Sequence, residues 1–175
     1  MQGGGRATAE EFARQGFDVA LLSRDAARLE RAADGLRRQG VRALPISTDV
    51  ADPAAVEAAA DRAEVELGPI DVWVNVAMTT VFSPVAKLTA EEVERGTKVT
   101  YLGQVHGMMS ALKRMRVRNR GTIVNPSFLM SKVTGAIVRA RRSRMLRTPT
   151  IEGATETNDG IGTDADQAGR NCALT

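Results

Sequence analysis

The chain has 175 residues, 43% of them hydrophobic, which suits one domain with a packed core. Only 3% are aromatic, so that core must be built from Ala, Val, Leu and Ile, and a formal charge of +3 is too small to point to nucleic acid by itself. No apolar run approaches the length of a membrane span, and the single Cys172 excludes an internal disulfide framework, as expected of a cytoplasmic protein.

The first residues, "MQGGGRATAEEFARQG", run a glycine cluster into a helical pattern whose apolar face is Ala9, Phe12 and Ala13. Backbone N–H groups at such a helix start can face a phosphate. A glycine turn of that kind ordinarily follows a buried strand, yet only Met1 and Gln2 precede Gly3 here. Four short apolar runs then read as buried strands: Phe17–Ser23, Val41–Ser47, Ile70–Val76 and Gly121–Asn125. Between them, Leu29, Ala32, Ala33 and Leu36 repeat at helical spacing, with Asp25 as N-cap and Gly40 as stop. Val56, Ala59, Ala60, Ala63 and Leu67 make the next face, opened by Asp52-Pro53 and closed by Gly68. A longer helix begins at Thr89, which has capping-box spacing to Glu92, and its apolar stripe is predicted through Leu102, Val105, Met109 and Leu112. Gly103 and Gly107 on that helix allow another element to approach closely, within the domain or across an oligomer contact over Thr89–Met115.

Regular alternation of strand and helix predicts parallel βαβ units, hence an α/β, doubly wound sheet. The expected division is a dinucleotide-binding domain over residues 1–126 and an atypical, disordered or poorly packed tail over 127–175. Within that tail Cys172 reads as an isolated cysteine, and His106, with no partner at recognisable spacing, as a helix-surface histidine. The arginines of "RMRVRNR" and "RARRSRMLR" lack interleaved aromatics and read as solvated helix ends rather than a nucleic-acid surface.

Candidate site residues fall at strand ends. Ser23 and Arg24 close the first of the four strands, where a dinucleotide-binding unit reads the adenosine ribose; an acid there binds a 2′-hydroxyl, an arginine a 2′-phosphate. Asp49, in "TDVAD", is placed to accept from an adenine amino group, with Asp52 only a helix cap. In "VNVAM", Asn75 ends a strand and small Ala77 leaves room for a ligand against the backbone.

Taken in order, these segments resemble the classical short-chain dehydrogenase/reductase family. "GGGRATAEEFARQGFDVALLSRD" is similar to the second half of its glycine-rich turn, helix and second strand. "TDVAD" is similar to its adenine-contacting segment, "VNVAM" to its Asn-Asn-Ala-Gly segment, "VTYLGQVHGMM" to its long helix, and "GTIVN" to the strand before its catalytic serine. The resemblance implies a Rossmann-like fold and an NADP(H)-dependent oxidoreductase acting on a hydroxyl or carbonyl. It implies cofactor contacts at Gly3, Gly5, Ser23, Arg24, Asp49, Val50, Asn75 and Ala77, with no metal. Thr100 stands where the family's long-helix asparagine supports a proton-relay water, and Ser127 lies near the position of the carbonyl-orienting serine. The nearest spacing match to the family's Tyr-x-x-x-Lys is Phe128 to Lys132, which has no proton to give; the only tyrosine, Tyr101, is on the long helix. Catalysis is therefore expected to be impaired. The family's first strand is absent ahead of Gly3, a loss of order 10 kcal/mol of burial. The expectation is a re-paired sheet, a loose fold or a borrowed strand, in a truncated, spliced or frame-shifted product.

Overall fold

The computed structural model describes residues 4–125 and 170–175. In chain order the elements are α1 (Gly4–Arg14), β1 (Asp18–Ser23), α2 (Ala26–Arg37), β2 (Ala43–Ser47), α3 (Pro53–Leu67), β3 (Val72–Val74), α4 (Ala90–Thr97), α5 (Gly103–Val117), β4 (Thr122–Val124) and β5 (Asn171–Leu174). Three of the helix starts, those of α2, α3 and α4, carry side-chain caps. Asp25 accepts from the Arg28 amide, Asp52 from Ala54 and Ala55 with Pro53 in the first turn, and Thr89 and Glu92 make both halves of a capping box.

All five strands are parallel, in the order β2-β1-β5-β3-β4. The α/β doubly wound architecture is as expected. The central slot is taken by β5, which corresponds to the re-paired sheet among the three alternatives. Cys172 lies between Val19 and Val72, and Leu174 between Leu21 and Val74. This corrects the expectation of a poorly packed tail at its last residues: Asn171 to Thr175 are all buried. The reason is non-local, since four residues become a strand once two parallel neighbours offer both of their hydrogen-bonding edges. Residues 126–169, with the rest of the expected tail and the "RARRSRMLR" cluster, lie outside the described residues.

Alternation along the strands divides the core into two layers. Val19, Leu21, Val72, Val74, Cys172 and Leu174 face α1 and α2; Ala20, Leu22, Trp73 and Ala173 face α3 and α5. Burial pushes the Cys172 thiol well above its ordinary pKa, so it is an inert core residue rather than an isolated tail cysteine.

The long helix departs from its predicted face. A π-helical turn, Lys98–Leu102, separates α4 from α5. Gly103, Gly107, Ser110, Ala111 and Met115 face inward, while Leu102, Met109 and Leu112 are exposed. The glycines serve close packing inside the domain: a Cβ at Gly103 would lie 2.7 Å from Val50 Cγ2.

Helix α3 meets α5 through a charged seam. The Arg114 side chain, 7% exposed, donates to Glu57 Oε2 (3.1 Å) and pairs with Asp61, while Lys113 and Ser110 also donate to Glu57 (2.6 and 2.8 Å). The Arg114 hydrogen bond, acting against desolvation, leads these contacts in lowering the Glu57 pKa from 4.5 to about 2. A carboxyl depressed in the folded state stabilises the fold above its unfolded value and loses that contribution as pH falls through the folded one. After discounting for partial exposure the contribution is about 1–2 kcal/mol. Glu57→Gln is expected to shrink the stability lost between pH 7 and pH 3 by about 1 kcal/mol, read from urea midpoints at the two pH values.

Candidate functional site

The carboxyl ends of β1, β2, β3 and β5 converge on one cleft of about 210 Å³. Open α/β sheets bind ligands outside the carboxyl ends of their strands, at the point where strand order reverses. Gly5, Ser23, Arg24, Asp49, Val50 and Ala77 all line the cleft, so most of the sequence-derived candidates meet there.

Gly5 belongs to the first turn of α1, whose N–H groups have no intrahelical acceptor and which carries no acidic residue. The strand-end backbone beside Arg24 is fixed by Thr48 N–H donating to Ser23 O (2.9 Å) and Ser47 Oγ donating to Arg24 O (3.3 Å). The Arg24 side chain is exposed and makes no ion pair among the described residues.

Asp49 is already engaged. Its Oδ1 accepts from the Ala51 amide (3.0 Å), and Arg95 Nη2 donates to both carboxylate oxygens (3.1 and 2.9 Å). Desolvation works to raise its pKa, but the Ala51 and Arg95 hydrogen bonds outweigh it, with the charge of Arg24 adding, and hold it below the ordinary carboxylate value. A ligand amino group reaching Asp49 would therefore share it with Arg95.

Two candidates do not reach the cleft. Asn75 is 1% exposed; its Oδ1 accepts from Trp73 Nε1 (2.7 Å), and its Nδ2 donates to Asn125 Oδ1 (2.7 Å) and Gln104 O (3.3 Å). It ties β3, β4 and α5 together and does not line the cleft, whereas Ala77 does. Thr100 Oγ1 donates to Thr79 O (3.0 Å) and accepts from Thr79 N (3.1 Å), which pins the loop after β3 and commits its only donor. Tyr101 is exposed. His106 is half-buried and bridges to the β2–α3 loop, Nδ1–H donating to Val50 O at 3.0 Å, so it is not a surface histidine. Gly3, Ser127 and Lys132 lie outside the described residues.

Among the lining residues not singled out by the sequence reading are Arg95 and Thr175. Arg95 sits just past a capping box with nothing local to mark it as a partner for Asp49, and Thr175 was assigned to the tail.

Comparison with known proteins adds three findings. Residues 1–140 match the short chain dehydrogenase family. The chain is 35% identical over 123 residues to 2,3-dihydro-2,3-dihydroxybenzoate dehydrogenase of Bacillus subtilis strain 168 (70% of this chain, 47% of that protein). It is 33% identical over 138 residues to the oxidoreductase UcpA of Escherichia coli K12 (79% and 51%). The chain thus spans about half the length of these curated relatives. Among solved structures it is similar to an NAD+-bound xylitol dehydrogenase (TM-score 0.69, 28% identity, 77% of this chain and 56% of that one). It is also similar to L-sorbose reductase from Gluconobacter frateurii complexed with NADPH and L-sorbose (TM-score 0.65, 28% identity, 78% and 56%). Among the described residues no helix is long and apolar enough to cross a membrane.

Proposed function

The chain belongs to the short chain dehydrogenase family, and from that premise we propose that its cleft binds NADP(H), in an oxidoreductase whose catalysis is impaired as the sequence stands. The observation that carries the cofactor choice is Arg24: exposed at the end of β1, on the rim of the cleft, with no acid at the ribose-reading position beside it. A carboxylate there would accept from a 2′-hydroxyl and repel a 2′-phosphate; a guanidinium does the reverse. Similar proteins divide on this point, one having NAD+ bound and another NADPH, so the residue has to decide it.

In this reading the dinucleotide-binding unit is residues 1–126 completed by 170–175. Gly3 and Gly5 would present amides to the pyrophosphate, Ser23 and Arg24 hold the adenosine ribose and its 2′-phosphate, and Asp49 and Val50 border the adenine. Ala77 leaves room for the backbone approach. The nicotinamide, when bound, supplies or takes hydride from a hydroxyl or carbonyl substrate. Proton transfer at neutral pH needs a phenol lowered from its usual pKa near 10, and neither Phe128 nor Lys132 can provide it; Ser127 could orient a carbonyl without completing the reaction. A cytoplasmic setting accords with a lone thiol kept reduced in the core.

NADPH is expected to raise the unfolding temperature more than NADH at equal concentration, and Arg24→Asp to weaken NADPH at least tenfold and reverse the order. Equal shifts by both cofactors in the parent chain would refute the NADP assignment. Turnover of any carbonyl substrate would refute the impairment.

A second reading, an interaction partner of an intact homologue or of itself through Thr89–Met115, rests on the exposed Tyr101, Leu102, Met109 and Leu112. Gly103 and Gly107 face inward and cannot form that contact. A single monomeric boundary in sedimentation velocity, alone and with a full-length relative, would dispose of it.

A further inference from the structure

We infer that Asn171–Thr175 is the first strand of the doubly wound unit displaced in sequence, and that its docking and ligand occupancy of the cleft are one coupled equilibrium. The second half rests on the dinucleotide reading above.

The assignment begins with topology. A doubly wound unit places its strands 3-2-1-4-5 across the sheet. Here β2, β1, β3 and β4 take the third, second, fourth and fifth places, and β5 takes the first. The family match ends at residue 140, so it says nothing of this segment. Placed directly ahead of Gly3, "RNCALT" would run an apolar strand into a glycine turn and then into α1, the order that such a phosphate-binding turn requires.

Specific contacts separate this from an apolar segment filling any available gap. Asn171 Nδ2 donates to Pro69 O (3.0 Å) and its backbone N–H to Asp71 Oδ2 (3.3 Å). Ala173 is the small neighbour of buried Trp73 across the ladder. The ladder continues past both ends, with Asp18 N–H donating to Arg170 O (2.9 Å) and Thr175 N–H to Val74 O (3.1 Å).

Because β5 is parallel to its neighbours, its carboxyl end opens on the cleft. Thr175 lines it together with Gly5, although the two stand at opposite ends of the numbering. No covalent turn joins β5 directly to α1 as a continuous strand–turn–helix would. A ligand that touches both sides of this joint favours the state in which β5 is docked, and by linkage anything that frees β5 weakens the ligand.

Cys172 is the chain's only cysteine and sits within β5, 1% exposed, so its reaction with 5,5′-dithiobis(2-nitrobenzoic acid) reports undocking. The experiment times that reaction in the full chain with and without NADPH, and reads NADPH binding separately from its own fluorescence. Without ligand, labelling is expected to be at least 100-fold slower than in the urea-unfolded chain. NADPH at 100 times its Kd is expected to slow it about another 100-fold. Labelling at the unfolded-chain rate overturns the displaced strand. NADPH that binds but leaves the rate unchanged overturns the coupling and spares the dinucleotide reading. A protected thiol with no NADPH binding overturns that reading and the coupling with it, and supports the displaced strand.

Discussion

Leu174→Asp is expected to leave the chain largely unfolded at neutral pH and 25 °C. The native side chain is fully buried, with Leu21 on one side and Val74 on the other, in the layer beneath α1 and α2. A carboxyl placed there meets neither water nor a cation, and a pKa raised by about 3–5 units makes it take up a proton, which costs about 4 kcal/mol at pH 7. Loss of the leucine's own contacts adds about 2–5 kcal/mol. Against a domain stability of about 5–15 kcal/mol the sum consumes most of the margin. The same sign and a smaller effect, about 2–5 kcal/mol, are expected for Leu174→Ala. Val65→Lys is the control: Val65 is 85% exposed on α3 with Asp61 one turn before it, so the change should stay within about 0.5 kcal/mol. Far-UV circular dichroism and urea midpoints decide the matter. A Leu174→Asp protein with the parent midpoint would mean that β5 does not occupy the centre of the sheet.

Gly107→Ala is expected to cost about 2–4 kcal/mol, against the intrinsic preference of a helix for alanine. A Cβ at Gly107 would stand 2.2 Å from Asn75 Oδ1 and 2.6 Å from Trp73 Nε1, the two atoms of a buried 2.7 Å hydrogen bond. Overpacking of this kind costs about 1–3 kcal/mol, and leaving one of those groups unpaired about 1–3 more. The helical gain of about 1 kcal/mol offsets part of it. Gly96→Ala, on α4 with nothing within 4 Å of its Cβ position, should instead stabilise by about 0.5–1 kcal/mol. Thermal midpoints then move in opposite directions, by about 2–4 °C per kcal/mol in a chain of this size. Trp73, the only tryptophan, should change its emission in the first variant and not in the second.

What could be read from the sequence was what neighbours in sequence decide. Asp25, Asp52 and the Thr89–Glu92 pair cap the helices expected of them because a cap is satisfied within three residues. The four strand runs survive with their ends trimmed, since apolar flanks such as Phe17 and Ile70 pack without joining the ladder. What escaped is set by contacts across the chain. Nothing in "NCAL" marks a strand until β1 and β3 stand on either side of it. Asp49, in the loop after β2, looks free until Arg95 of α4 closes over it. Asn75 looks like a strand-end ligand until Gly107 lets α5 press down on it. The stripe through Leu102, Met109 and Leu112 is exposed because α5 buries its small face instead, where Gly103 and Gly107 allow contact with Val50, Asn75 and Trp73.

Putting the central strand after every other described element also orders events during synthesis. The two halves of the sheet, β1–β2 and β3–β4, leave the ribosome before β5, the only described element that pairs with both of their inner edges. Unpaired strand edges invite pairing with other nascent chains. Among the described elements only β5 closes those edges, so the interval before it emerges is when the two half-sheets are most exposed to aggregation.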